Sequence, residues 1–477
     1  EQFNRLGKLY ADSPEGVAAQ LDEARLEREA GRYDRALDEY RAVLDYVVDA
    51  DRYMNELAPL PVLRLRLLEA YRDFLSKRLF SEALSLVDMI APVYSVAEQL
   101  ELRAETHRQW ADSLVAEADV KGRWRTPTTL RSARYQYRAA GRAFEDLARL
   151  RFATREFPDD LWQAAENYYQ GQSYTNAART TEEYLRHEAR RLGAQALLRL
   201  GQCHLARRSF DDAVLALEEC MDAYPDDAVV YRARLECARA EQMRNHFARA
   251  EELLRLNLMG DALTPDSVDW RDSKFDIGRL YYETGRYEDA IAHLQEAVAR
   301  YPQADEAVVA RYTVARANHA AADEPAKNLA EAKTENERQK NRTLMNDYLN
   351  AALDAYLTVQ RTITLSGQGE SSPLHRGLLR NCYMMQGAVL YELHRYEEAQ
   401  KAFANVSNLY QNDPFVLESY VQMANCWRRL NQPIKARGTI RLARSALENM
   451  PPNADFRSAT NFTRQQWQFV LDSMYQW

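Results

Sequence analysis

The sequence predicts an all-α fold, an α-solenoid of antiparallel helix pairs with irregular insertions. Three observations carry that expectation. A six-residue string recurs: "GRYDRA" at Gly31, "RLFSEA" at Arg78, "QSYTNA" at Gln172, "RSFDDA" at Arg208, "NHFARA" at Asn245, "GRYEDA" at Gly285, "HRYEEA" at His394 and "NQPIKA" at Asn431. The third residues, Tyr33, Phe80, Tyr174, Phe210, Phe247, Tyr287, Tyr396 and Pro433, are spaced by 47, 94, 36, 37, 40, 109 and 37. The short spacings fit one helix–turn–helix unit, and the two longest leave room for an extra unit with an insertion. Between the strings, apolar and small residues recur three and four apart, the period of one helix face.

The unit "FDIGRLYYETGRYEDAIAHLQEAVARYP", Phe275 to Pro302, justifies each element in turn. Ile277, Tyr281 and Leu294 recur at helical spacing and are expected in a shared core. Gly278 and Ala290 are small where two helices approach closely. Gly285 ends the first helix in a left-handed conformation that glycine tolerates. Pro302 stops the second helix. The unit from Leu200 repeats the pattern with Gly201, Phe210, Ala213, Leu217, Cys220 and Pro225. These residues resemble the tetratricopeptide repeat, a bacterial-type example here. The resemblance is strong over 196–302 and 377–443 and weaker before Phe152. It implies a right-handed superhelix whose concave groove, lined mainly by first helices, binds other proteins.

The expected organisation follows the repeats. Residues 1–157 form irregular repeats with an insertion near 119–132, and 158–303 a regular array. Residues 304–374 form an irregular repeat with a charged insertion at 322–347 and a turn-rich linker at 364–374. Residues 375–450 form a repeat pair, and 451–477 a capping helix. The first insertion is read as a helix connection with Trp124 packed on the array, the alternative being a protruding contact loop. The second reads as a loop or an exposed helical extension. In the terminal helix, Phe462, Trp467, Phe469, Val470 and Met474 fall mostly on one side. A repeat array needs such a cap.

Composition excludes several classes. A net charge of −8 and 46% hydrophobic residues speak for a chain with a core and against a nucleic-acid footprint. Only 9 of the 63 basic residues are Lys, as a GC-rich bacterial genome produces. The cysteines Cys203, Cys220, Cys237, Cys382 and Cys426 are odd in number, scattered and never in C-x-x-C. They are expected as buried thiols, with no disulfide framework and no metal site. No apolar run reaches the roughly 18 residues of a membrane span. No H-E-x-x-H, P-loop or G-x-S-x-G string occurs, so no catalytic residue and no cofactor are expected. "GQG" at Gly367–Gly369 reads as linker.

Partner residues are sought by register. Eight before each turn anchor stand Arg25, Arg72, Glu166, Gln202, Arg239, Arg279, Ala388 and Asn425. Five before it stand Arg28, Leu75, Tyr169, Leu205, Gln242, Tyr282, Tyr391 and Arg428. Asp272, Phe275, Arg279 and Tyr282 are expected to form one face, away from Gly278 and Tyr281. Arg25, Arg72, Tyr169, Arg239, Arg279, Tyr282, Tyr391 and Asn425 are therefore the candidate contacts for a protein segment with acidic and apolar residues. The competing reading makes the tyrosines packing residues. The Lys/Asn set of a chaperone-tail clamp is absent at the matching positions, Phe275 and Arg279 or Met384 and Ala388. The expected function is a non-catalytic scaffold in a multiprotein assembly. A periplasmic adaptor for envelope assembly or secretion, and an accessory region of a larger enzyme, are the alternatives. The first residue is Glu1 rather than Met, so both the cytoplasm and the cell envelope stay open. A removed upstream signal would favour the periplasm.

Overall fold

Eight left-handed residues punctuate the described chain. They are Gly31, Arg78, Gln172, Arg208, Asn245, Gly285, His394 and Asn431, with φ between 55° and 78°. Each is the first residue of one recurring string. At Gly285, the Gly285 amide donates to the Tyr282 carbonyl (3.2 Å) and the Arg286 amide to the Tyr281 carbonyl (2.8 Å). This is a Schellman turn, which satisfies carbonyls that the helix end would leave bare. The same pair of bonds recurs at Gly31, Arg78, Gln172, Arg208, His394 and Asn431.

The computed structural model describes residues 13–47, 49–120, 127–187, 191–259, 263–366 and 372–476. It contains no strand among them. Contacts divide the chain into two compact units, Glu1–Arg244 and Asn245–Trp477.

The first unit holds α1 (Pro14–Glu29), α2 (Tyr33–Tyr46), α3 (Leu60–Ser76), α4 (Phe80–Met89), α5 (Val96–Val120), α6 (Pro127–Leu150), α7 (Phe157–Gln170), α8 (Tyr174–Arg186), α9 (Gly193–Ala206), α10 (Phe210–Ala223) and α11 (Val229–Met243). Sequential helices pack as neighbours, α5 on α6 most extensively. The anchoring alanines Ala36, Ala83, Ala177 and Ala213 are fully buried. Residues 121–126, with Trp124, lie outside the described residues.

The second unit holds α12 (Phe247–Leu258), α13 (Val268–Glu283), α14 (Tyr287–Arg300), α15 (Ala307–Ala321), α16 (Asp323–Glu331), α17 (Glu335–Leu365), α18 (Pro373–Glu392), α19 (Tyr396–Leu409), α20 (Val416–Arg429), α21 (Pro433–Asn449), α22 (Phe456–Ala459) and α23 (Arg464–Tyr475). The charged stretch 322–347 is two helices joined at 332–334 rather than one loop. A capping box between Thr334 and Glu337 starts α17, which runs for 31 residues. Only its later turns bury apolar side chains, Leu349 to Ile363. It packs on α15 and α18 as the second helix of an irregular pair. The Gly367–Gly369 string lies outside the described residues.

Two expectations need correction here. Phe275 is 1% exposed and Asp272 is buried, so neither stands on an open face of α13. Phe275 belongs to a cluster with Leu294, Ala297, Ala310 and Val314. A first helix meets its own second helix and also the next pair, so more than one of its faces is covered. In α23, Trp467, Leu471 and Met474 are buried on α21, whereas Phe469 is 75% exposed and Phe462 is also exposed.

Candidate functional site

The candidate residues lie on first helices, and local packing fixes how each is presented. The three tyrosines five before an anchor all lean on the anchor ring of their own unit. Ring centroids are 5.7 Å apart for Tyr169–Tyr174, 5.8 Å for Tyr282–Tyr287 and 5.1 Å for Tyr391–Tyr396. All three stay half-buried.

In the first unit, Arg25 lies near Asp22 (3.8 Å) and Glu29 (3.7 Å) of its own helix. Arg72 is exposed on α3. Tyr169 is covered by Arg199, whose guanidinium carbon lies 3.9 Å from the ring centroid. Arg199 in turn grips Glu166 with two hydrogen bonds (2.6 and 2.9 Å) and donates to Gln202 (2.7 Å). Burial pulls the Arg199 pKa down, yet the Glu166 carboxylate holds it above the ordinary value. Arg239 pairs with Glu236 at 3.3 Å.

In the second unit, Arg279 pairs with the buried Asp276. The Arg316 guanidinium lies over the Tyr282 ring, its carbon 5.0 Å from the ring centroid. The Tyr391 hydroxyl accepts a hydrogen bond from Arg429 Nε (3.0 Å). Asn425 donates to Gln422 Oε1 at 3.4 Å. The structure thus joins Tyr169 to Glu166 and Gln202 through Arg199, and Tyr282 to Arg316. Tyr391 is joined in the same way to Arg429, and each of these arginines belongs to the next pair.

The ion pairs follow a register rule. Asp22, Glu236 and Asp276 each stand three residues before Arg25, Arg239 and Arg279, one helical turn away on the same face. These arginines therefore already have an acidic neighbour. Arg316 is the residue the sequence reading missed. Its unit has no recurring string, so no anchor placed it in the register. The signal available is the doublet of a small residue followed by arginine: Ala315–Arg316 matches Gly278–Arg279, Ala238–Arg239 and Ala24–Arg25. Ala315 is fully buried, as the match requires.

Around Arg316, residues of α13, α15, α16, α17 and α18 line an open cavity of about 330 Å³. Its walls include Tyr282, Tyr312, His319, Tyr356 and Met385. His319 Nε2 lies 3.0 Å from both Glu392 carboxylate oxygens. Among the described residues, no group of three or more His, Cys, Asp or Glu could hold a metal ion. No helix there is long and apolar enough to cross a membrane. The five cysteines are buried and form no disulfide; burial pushes Cys203, Cys382 and Cys426 up to about 12 and Cys220 to about 11.

Family comparison agrees with the geometry. One family model described as tetratricopeptide repeat matches residues 272–304, and a second matches 4–58 and 163–228. Over those stretches the chain carries tetratricopeptide repeats. The repeat is in general a non-catalytic, protein-interaction fold. No curated protein matches the chain. Among solved structures, a tetratricopeptide repeat protein from Parabacteroides merdae is 10% identical, covering 67% of this chain and 97% of its own, with a TM-score of 0.37. The C-terminal part of a repeat-containing protein from Cytophaga hutchinsonii is 14% identical over 65% of this chain and 98% of its own, at 0.43. A signal transduction ATPase with a tetratricopeptide repeat sensor from Pyrococcus horikoshii is 12% identical over 97% of this chain and 74% of its own, at 0.42.

Proposed function

We propose that this repeat protein is a non-catalytic scaffold that holds segments of partner proteins along its first helices, as one subunit of a larger assembly. The observation that supports it is the recurrence of arginine at one register position in four of the eight anchored units and of tyrosine at a second position in three. Tyrosines braced on an anchor ring are rigid, and a rigid amphipathic ring loses little entropy when it meets a partner. Guanidinium groups add directional donors. The segments suited to such a face carry acidic and apolar residues.

The test is affinity isolation of partners with the full chain, followed by binding measurements on variants. The double variant Arg239→Glu and Arg279→Glu is expected to weaken the captured partner about tenfold or more, a loss within the range of interface hot spots. Reversing Arg279 removes the partner of a buried carboxylate, so Tyr391→Ala is measured beside it as a milder change. Unchanged affinity in both folded variants, or recovery of no partner at all, overturns the proposal.

A further inference from the structure

We propose that the cavity lined by α13, α15, α16, α17 and α18 binds a carboxylate presented by an Asp or Glu side chain of a partner segment. This rests on the scaffold reading and names the group that one of its sites takes.

Two observations, independent of each other, point to that ligand. The first is Arg316. Where Arg25, Arg72, Arg239 and Arg279 have an acid three residues earlier, Arg316 has Thr313. Among the described residues no carboxylate pairs with Arg316, which is exposed and whose guanidinium carbon lies 5.0 Å from the Tyr282 ring centroid. A planar fork of donors fits the two oxygens of a carboxylate.

The second is Tyr356. Its side chain is 0% exposed, and its hydroxyl has no hydrogen-bond partner among the described residues. The ring is fixed edge-on by Tyr312 (centroids 5.9 Å, 62°) and by His319 (6.5 Å, 90°). Tyr356 lines the same cavity as Tyr282, Tyr312 and Arg316. Burial raises its pKa, so it remains a protonated donor. Leaving a buried hydroxyl unpaired is costly, and an acceptor entering the cavity removes that cost.

Charge and size narrow the ligand further. The cavity joins one uncommitted cation to one uncommitted O–H donor, which together call for an anionic acceptor. Glu392 is engaged by His319, and Asp323 is exposed at the rim. A single guanidinium beside that acid suits a monoanion better than a doubly charged phosphate. A volume of about 330 Å³ admits one acidic side chain, with Tyr282, Tyr312 and Met385 against its methylene groups.

Met385 supplies a local reporter. The full chain, labelled with 13C in its methionine methyl groups, is titrated with N-acetyl-glutamate N-methylamide, and the Met385 signal is assigned with Met385→Leu. The blocked glutamate is expected to shift that signal saturably at millimolar concentrations, an affinity of about 4 kcal/mol. The glutamine, lysine and phosphoserine analogues and free acetate are expected to bind at least about tenfold more weakly. Arg316→Gln should abolish the shift, and Tyr356→Phe should weaken binding about fivefold while leaving Tm equal or higher, because it removes an unpaired buried hydroxyl. No Met385 shift overturns the proposal. So does an equal response to the glutamine or lysine analogue, or a response that survives Arg316→Gln. Equal or tighter binding of acetate or phosphoserine overturns the assignment to an acidic side chain. If Met385 is silent while partner capture persists, the pocket alone fails. If Met385 responds and no partner is captured, the scaffold reading fails instead.

Discussion

At the scale of single residues, the turns hold avoidable strain. Six of the eight left-handed positions carry a side chain. Arg208, at φ 62°, is exposed and takes no side-chain part in its turn, whose bonds from the Arg208 and Ser209 amides are both 2.9 Å. A non-glycine residue in this conformation costs about 1–2 kcal/mol, and glycine gives back about 0.5–1 kcal/mol through the unfolded chain. Arg208→Gly is expected to stabilise the protein by about 0.5–1 kcal/mol in denaturant melts. Asp160 offers a second case. Burial, against the pull of Arg151, raises its pKa from 3.8 to about 6. The folded state then keeps a proton that the unfolded chain has already released. Its contribution is full below pH 3.8 and is lost as pH rises through about 6. The loss approaches roughly 3 kcal/mol, at 1.36 kcal/mol per pH unit. Asp160→Asn should lack this decline, so stability curves of variant and parent measured between pH 4 and 7 should diverge as pH rises.

At the scale of elements, the close approach of paired helices rests on a small residue facing a large one. A Cβ at Gly201, Gly278 or Gly387 would stand 2.5–2.6 Å from Leu217, Leu294 or Phe403, each sixteen residues further on. That constant offset sets the pairing of first and second helix within a repeat. Gly278→Val is expected to destabilise by about 2–3 kcal/mol, because Leu294 is fully buried and cannot yield. Leu294→Ala alone opens a cavity and costs about 2–5 kcal/mol. Made together, the two changes should cost less than their sum, and chemical denaturation of the four proteins measures that coupling. Additive costs would show that the helices separate without the clash.

At the scale of the whole molecule, repeats couple mainly to their neighbours. The Gly278→Val lesion should therefore raise amide hydrogen exchange most in α13 to α15 and leave α1 to α4 near their parent rates. Uniform loss of protection would contradict that picture. Much of the fold was legible in the chain itself. Turn strings, small–large spacing and helical periodicity are local, repeated and enforced by backbone geometry, so they survive as sequence patterns. The irregular pair α15–α17 was legible only as a gap of suitable length, because it lacks the turn string. The candidate face was legible only by register. Sequence separates neither a tyrosine that packs on its anchor from one that meets a partner, nor an arginine with an acid in reach from one without. Tertiary structure decided those points. It buried Phe275 between successive pairs, laid Arg199 on Tyr169, and brought Arg316 and Tyr356 to one cavity from helices far apart in sequence. Repetition is a one-dimensional property, whereas burial and pairing of a polar group depend on which surfaces the fold brings together.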